Sequence, residues 1–242
     1  NWISGGQNNI SNQKNPPNIL LGSHDPLLEL AVKQSKSGIA MSFDGSTEGL
    51  ERFKLNQGIA SGLHIYDSDL ESWNVPIVKK CLEKQDFVLM EWAKRDRGLI
   101  YKPKEKSEKK SINEFLGQRL VTRQSGSGSD NYFKYICKRE NINSSDFIGT
   151  EVTYSENDAV SLILSDKADV TLGLASEAKK HQLGFLHIVT ERFDIVVNRI
   201  SWFEKPFQRL LSFSRSDDFL NTASNFFGYN INDLGTVHFN NK

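Results

Sequence analysis

A chain of 242 residues, 38% of them hydrophobic, is long enough for one large or two small globular domains with a core, which sets disorder aside. Charged residues make up 25%, and 30 Lys and Arg balance 30 Asp and Glu, so no net field exists to hold nucleic acid or an anionic membrane by counterion release. No apolar run approaches the roughly 18 residues a spanning helix needs, and the first residues are Asn-rich rather than a basic patch with an apolar stretch, so neither a membrane span nor an export signal is expected.

The chain starts with Asn, not Met, which leads to the expectation of a piece whose upstream part is missing. Residues 1–17 carry Gly5-Gly6, several Asn and Pro16-Pro17, a polar composition that buries no apolar area and is expected to be a linker. From residue 18 the pattern becomes regular: a short apolar run ends in a Gly/Ser/Asp cluster and an amphipathic stretch follows, the alternation of an α/β fold. Ile19-Leu20-Leu21 predicts a strand, and Pro26 with apolar residues at 27, 28, 30 and 31 predicts a helix. Residues 38–43 predict a second strand, followed by a helix through Leu50 and Phe53 that closes near Gly58. Residues 60–66 predict a third strand and residues 75–82 a short helix.

Residues 87–101 form a long extended stretch, followed by a Lys-rich segment over 102–110 whose interleaved glutamates mark a solvated surface. Residues 118–122 then predict a strand, 123–129 a turn, and 130–139 a helix burying Tyr132, Phe133 and Ile136. Two further βα units are expected over 151–165 and 169–180, strands at 186–189 and 193–197, and helix from 202 to 227. The extended stretches 87–101 and 193–197 bracket a block of about a hundred residues with its own βα set. A chain that leaves one sheet, builds a second and returns makes two lobes, a hinge and a cleft, where α/β proteins bind ligands. The predicted division is lobe I over 18–93 and 191–242, and lobe II over 94–190. Cys81 and Cys137 have no metal-ligating or redox spacing and are expected to be buried thiols inside helices.

The candidate site residues are hydroxyls at the carboxyl ends of strands, directly before helices: Ser23, Ser46, Thr47, Ser125, Ser127 and Ser129. Helix first turns offer unpaired N–H groups and a positive dipole end, so several converging on one cleft would bind an oxyanion or carboxylate, while capping explains any single one. The loop Arg123-Gln124-Ser125-Gly126-Ser127-Gly128-Ser129 lacks the Gly-Lys-Ser/Thr of a phosphate loop and the third glycine of a dinucleotide fingerprint. It remains a glycine-rich nest with one arginine, and Arg123 would pair with an anion or serve in a structural salt bridge. His24 beside Asp25 is better explained by capping than by acid/base work, and His64, His181, His187 and His238 are expected to be structural. Neither a nucleophile elbow nor a metal-ligand spacing is present, so no enzyme, cofactor or metal is expected.

These residues resemble a known family. Gly22-Ser23-His24-Asp25-Pro26-Leu27-Leu28, Gly45-Ser46-Thr47-Glu48-Gly49-Leu50, Gly62-Leu63-His64-Ile65-Tyr66-Asp67, Asn74-Val75-Pro76, Arg97-Gly98-Leu99, the loop 123–129, Ala168-Asp169-Val170-Thr171-Leu172-Gly173 and Gly228-Tyr229 are similar, in order, to a periplasmic-binding-protein-like (type 2) domain. That domain occurs in molybdopterin-biosynthesis-associated proteins and in a class of bacterial transcription regulators, and is similar to LysR-type effector-binding and molybdate-binding domains. The resemblance implies an α/β fold of two lobes with mixed sheets, two hinge crossovers and a ligand shell drawn from Ser23, His24, Ser46, Thr47, Arg123, Ser125, Gly126, Ser127, Gly128 and Ser129. Relatives carry a Thr-His or Ser-His pair where Asn157-Asp158 align, and a carboxylate there would repel molybdate and favour a ligand with a donor group. Asn1-Trp2-Ile3 resembles the end of an excisionase-type DNA-binding domain. The implied protein is a cytoplasmic ligand sensor that binds a small anion and reaches DNA only through an upstream domain, with room for a homodimer. The alternative is an extracytoplasmic solute-binding protein of a transporter for molybdate-like oxyanions or organic acids.

Overall fold

A computed structural model describes residues 15–103 and 108–241. The expected DNA-binding remnant at 1–3, most of the linker, and the middle of the Lys-rich segment lie outside the described residues. In lobe I the order is β1 (Ile19–Gly22), α1 (Pro26–Gln34), β2 (Ala40–Met41), α2 (Ser46–Lys54), β3 (Ala60–Leu63), β4 (Tyr66–Asp67), β5 (Ser72–Trp73) and α3 (Val75–Cys81). The long strand β6 (Phe87–Tyr101) leads to β7 (Arg119–Arg123), α4 (Gly128–Arg139), β8 (Ile148–Thr153), α5 (Glu156–Leu164), β9 (Val170–Leu174) and α6 (Ala175–Lys180). A second long strand, β10 (Gly184–Asn198), returns the chain to α7 (Arg199–Trp202), α8 (Lys205–Ser214), α9 (Asp217–Ala223), β11 (Tyr229–Asn230) and β12 (Val237–Asn241).

The main sheet has the order β2-β1-β3-β10-β6-β9-β7-β8, with β11 and β12 added to β6. β1 runs parallel to β2 and β3, and β7 parallel to β8 and β9, whereas β3, β10, β6 and β9 meet antiparallel. The β6–β10 ladder runs from Phe87↔Asn198 to Tyr101↔Gly184, with irregularities between His187 and Val189 and between Phe193 and Asp194. A strand of 15 residues spans about 50 Å, enough to pass through both lobes. β3 joins this ladder at residues 194–197 of β10, and β9 joins it at residues 97–101 of β6, so the two parallel sets hang from opposite ends of one shared pair. This is the two-lobed fold with two crossing strands that the sequence predicts.

Each lobe covers its sheet on both faces, which is why its strands read as near-continuous apolar runs. In lobe I, Leu27, Leu28, Trp92, Phe207 and Phe219 pack under α1, α8 and α9, and Leu21, Leu50, Phe53, Val78 and Phe87 pack under α2 and α3. In lobe II, Phe115, Tyr132, Phe133 and Ile136 fill one face and Val121, Val160, Ile163 and Ala178 the other.

Several boundaries move. The strand expected over 38–43 shortens to β2, and the helix expected to close near Gly58 ends at Lys54, capped by Leu55, with Asn56 at a left-handed φ of 57° making the turn. The strand expected over 60–66 stops at Leu63, and Tyr66 starts the small β4–β5 hairpin instead. The strands expected at 186–189 and 193–197 are one strand, because the intervening Glu191 and Arg192 stay in the ladder opposite Arg95 and Lys94. The helix over 202–227 is broken into α7, α8 and α9, the last capped by Ser216. The additions β11 and β12 were not anticipated. Cys137 is buried as expected; Cys81, the last residue of α3, is only half-buried.

A closed cleft between the lobes

The carboxyl ends of β1, β3, β7 and β8 face one another and enclose a cavity of about 30 Å³. Lobe I contributes Ser23, His24, Phe43, Gly45 and His64 to its wall, and lobe II contributes Arg123, Gln124, Ser127, Ser129, Tyr154 and Glu156. Thr47 Oγ1, in the first turn of α2, donates to the Gly126 carbonyl at 2.8 Å and latches the lips of the two lobes. Beneath that latch Gly128 lies against His64: a β-carbon at 128 would stand 2.5 Å from the His64 carbonyl oxygen and 2.6 Å from its ring Cε1. The lobes are therefore closed, and the absence of a side chain at 128 permits the approach.

The lobe I wall depends on a close packing of backbones. Gly22 adopts φ of +94°, and a β-carbon on Gly49 would lie 2.1 Å from Gly22 Cα, so α2 is pressed onto the end of β1. This seats Ser46 in full burial, where its Oγ accepts from the His64 N–H at 3.0 Å and shares a hydrogen bond of 2.7 Å with Ser23 Oγ. His24 pairs through Nε2 with Glu29 at 2.7 Å and meets Phe43 edge-on. Asp25 caps α1, accepting from the Leu28 N–H at 2.7 Å. On the lobe II wall, Arg123 Nη2 donates to the Tyr154 carbonyl at 2.8 Å and Nε to the Thr153 carbonyl at 3.3 Å, which hold the guanidinium at the cavity. Ser127 caps α4, accepting from Asp130 N–H at 3.1 Å. Gln124 Oε1 is buried without a hydrogen-bond partner.

Behind the cavity runs a buried chain of charges. Asp25 accepts from Arg95 Nη1 at 2.8 Å, from Trp92 Nε1 at 3.2 Å and from the Tyr229 hydroxyl at 2.6 Å. Arg95 Nη2 donates to Glu191, which also accepts from Arg97 Nε at 2.8 Å and lies 3.0 Å from His64 Nδ1. Arg97 Nη1 donates onward to Ser129 Oγ and to Glu156 Oε1, both at 2.9 Å, and Glu156 Oε1 is 3.5 Å from Arg123 Nη1. Three carboxylates thus meet three guanidinium groups along the hinge strands and both lobes. Burial alone would raise the carboxyl pKa of Glu191, but Arg95 and Arg97 more than offset it and hold it well below the usual range. Burial also works against the Glu156 carboxylate, but Arg97 and Arg123 lower its pKa. Burial pushes the His64 imidazole down, against the pull of Glu191, and keeps it neutral.

These directions share one sign. A His with a lowered folded pKa gives its stability above its unfolded value near 6.5, and Glu residues with lowered folded pKa values give theirs above an unfolded value near 4.5. All of it is lost as pH falls through the folded values. The melting temperature is therefore expected to decline gently on acidification below about pH 6.5 and steeply below about pH 4.5. A flat melting profile from pH 7 to 4 by calorimetry would contradict the network.

Residues 27–215 match the PBP superfamily domain. The chain belongs to the PBP superfamily. It is 24% identical over 231 residues to YvgK, an uncharacterized protein of Bacillus subtilis strain 168, covering 91% of this chain and 73% of that protein. Among solved structures, one is a Clostridium perfringens protein assigned to phosphate ABC transport as its substrate-binding protein, solved with bound phosphate. It aligns with a TM-score of 0.62 at 12% identity, over 85% of this chain and 96% of that one. The effector-binding domain of QuiR in complex with shikimate aligns with a TM-score of 0.55 at 12% identity, over 81% and 92%. Likeness at this level concerns the fold. No helix among the described residues is long and apolar enough to cross a membrane.

Within this PBP-like domain the sequence-derived shell divides into three sets. Ser23, His24, Arg123, Ser127 and Ser129 line the cavity. Ser46, Thr47, Gly126 and Gly128 support it: Ser46 is spent on Ser23 and His64, and the others form the contact between lobes. Ser125 is exposed on the loop. Asn157 and Asp158 stand outside the cavity wall. Both are exposed, and the helix start at Ser155, whose Oγ accepts from the Asp158 N–H at 3.0 Å, puts Glu156 into the wall in their place. His64, Gln124, Arg97, Glu156 and Glu191 were missed as site residues. For Arg97 and Glu191 the signal was charge inside the two long strands; His64, Gln124 and Glu156 carried no such signal. Elsewhere, Glu91, Asp194 and His238 come within 4.8 Å of one another, but Arg192 and Asn74 engage Asp194 and His238 engages Glu91, so charge pairing accounts for them.

Proposed function

We propose that this domain is the effector-sensing part of a bacterial transcription regulator, a binding rather than a catalytic module that takes a small anionic solute between its lobes in the cytoplasm. The observation that carries this is Arg123. Its guanidinium is fixed to two backbone carbonyls at the wall of a closed interlobe cavity, backed by Arg97 and flanked by the first turns of α2 and α4. A solute that touches both lobes gains its full contacts only in the closed state, so its differential affinity sets how far the hinge equilibrium moves. The neighbours solved with phosphate and with shikimate support a small anion as the ligand class. The transport reading uses the same cleft, and the Clostridium perfringens neighbour favours it; DNA contact would belong to a segment other than the one described.

A thermal-shift panel of phosphate, sulfate, molybdate, tungstate and small carboxylates tests the ligand class, since binding to the folded state alone raises the midpoint. Arg123→Ala is expected to abolish the shift. It also frees the Tyr154 carbonyl and leaves the Thr153 carbonyl only the Gln124 N–H, so a loss of about 1–2 kcal/mol in stability accompanies it. A wild-type titration isotherm in that variant would overturn the assignment.

A further inference from the structure

We propose that the carboxylate of Glu156 is a built-in anion that holds the seat of the ligand in the free domain, and that a solute oxyanion binds by taking its place. This rests on the anion-binding cleft proposed above and adds how that cleft is regulated.

Glu156 is the first residue of α5, and its side chain, only 12% exposed, forms part of the cavity wall. Its Oε1 stands between two guanidinium groups, 2.9 Å from Arg97 Nη1 and 3.5 Å from Arg123 Nη1. The same Arg97 nitrogen donates to Ser129 Oγ, another wall residue. A carboxylate of the chain therefore already makes the contacts that a bound oxyanion would make with Arg97 and Arg123.

Space and charge point the same way. The remaining cavity of about 30 Å³ holds about two water-sized groups, too few for the five heavy atoms of a tetrahedral oxyanion unless a wall group leaves. Asp25, Glu191 and Glu156 balance Arg95, Arg97 and Arg123, so a dianion added to the intact cluster would be buried without compensation. Exchange of one anion for another keeps both arginines paired. The departing carboxylate has a place to go: Glu156 sits in the first turn of its own helix, where the dipole favours negative charge, and its neighbour Tyr154 is 75% exposed at the cleft mouth. The buried, unpartnered Gln124 Oε1 lies in the same wall, and a turn of its amide presents an N–H to the incoming anion.

An internal competitor lowers apparent affinity and sets a threshold. The cleft responds only when the solute outcompetes Glu156 for the two arginines. It also keeps the charges at the centre of the free domain balanced.

The test is calorimetric titration of the wild type, Glu156→Gln and Arg123→Ala with sodium phosphate, sulfate and molybdate at fixed ionic strength, together with melting curves with and without each anion. Glu156→Gln keeps the shape of the side chain and removes its charge. It is expected to bind the anions about tenfold more tightly, to melt lower than wild type without anion, and to gain more than wild type when anion is added. Binding by Glu156→Gln where wild type shows none also supports the exchange. Equal or weaker binding by Glu156→Gln, with binding lost in Arg123→Ala, overturns the exchange and leaves the cleft assignment standing. Failure of all three proteins to bind any of the anions overturns both.

Discussion

Replacing Glu191 by Ala is expected to cost about 3–5 kcal/mol of folding stability, a large share of the roughly 5–15 kcal/mol available to a domain. Glu191 lies on β10, fully buried, and its two oxygens engage Arg95, Arg97 and His64. Its removal leaves Arg95 and Arg97, both essentially without solvent access, facing each other across neighbouring positions of β6 with one partner fewer each. A burial energy so poorly compensated is one of the few mechanisms that produce losses of this size. Urea unfolding read by circular dichroism measures it, and a midpoint within 0.5 kcal/mol-equivalent of wild type, about the scatter of surface substitutions, would show the charges to be dispensable. Glu191→Gln retains the acceptor and is expected to lose about half as much.

The second large effect is on closure rather than on folding. Gly128→Ala adds a methyl group where the closed state leaves 2.5 Å to the His64 carbonyl oxygen, a backbone atom that cannot turn aside. Gly128 is the first residue of α4 and has no left-handed φ to protect, so alanine is acceptable to lobe II itself. The penalty of about 1–3 kcal/mol falls on the closed state alone. Ligand affinity is therefore expected to fall about 10- to 100-fold while the melting temperature of the free protein changes little. Small-angle scattering should show a larger radius of gyration than wild type, as the Thr47–Gly126 latch is held apart. Unchanged affinity and dimensions would mean that the closed arrangement is not the binding state.

Much of the architecture was legible because it rests on local chemistry. Asp25 before Pro26 starts α1 as capping rules require, and the apolar spacing that follows is the buried face of that helix. The long extended stretch of β6, free of breakers before Gly98, announced a strand, and the bracketing of lobe II by it and by the apolar run at 193–197 announced the crossover. The helix-first-turn hydroxyls were legible as a set, but their individual duties were not. Ser46 and Ser127 have the same sequence context, yet one serves as partner to Ser23 and His64 and the other as a cap.

Glu156, rather than Asn157 or Asp158, lines the cavity for a physical reason. A helix turns about 100° per residue, so once Ser155 is the cap, position 156 faces the cleft and position 158 faces away. Helix starts read from a sequence carry an uncertainty of that size, and here it moved a charge from outside the site to its centre.

The α/β class, the two lobes, the solvated charge of the surface and the clustering of helix first turns follow from composition and periodicity, because each depends on neighbours a few residues apart. The pairing of charges does not. Arg95, Arg97 and Glu191 meet only because β10 returns beside β6 after lobe II is complete, and Glu156 reaches Arg97 only because β9 and α5 pack against that ladder. The zero net charge of the chain was visible at once, whereas the balance of three arginines and three carboxylates at the centre of the cleft arises from contacts between segments far apart in sequence. Coulomb energy depends on distance and burial, and only the folded chain sets both.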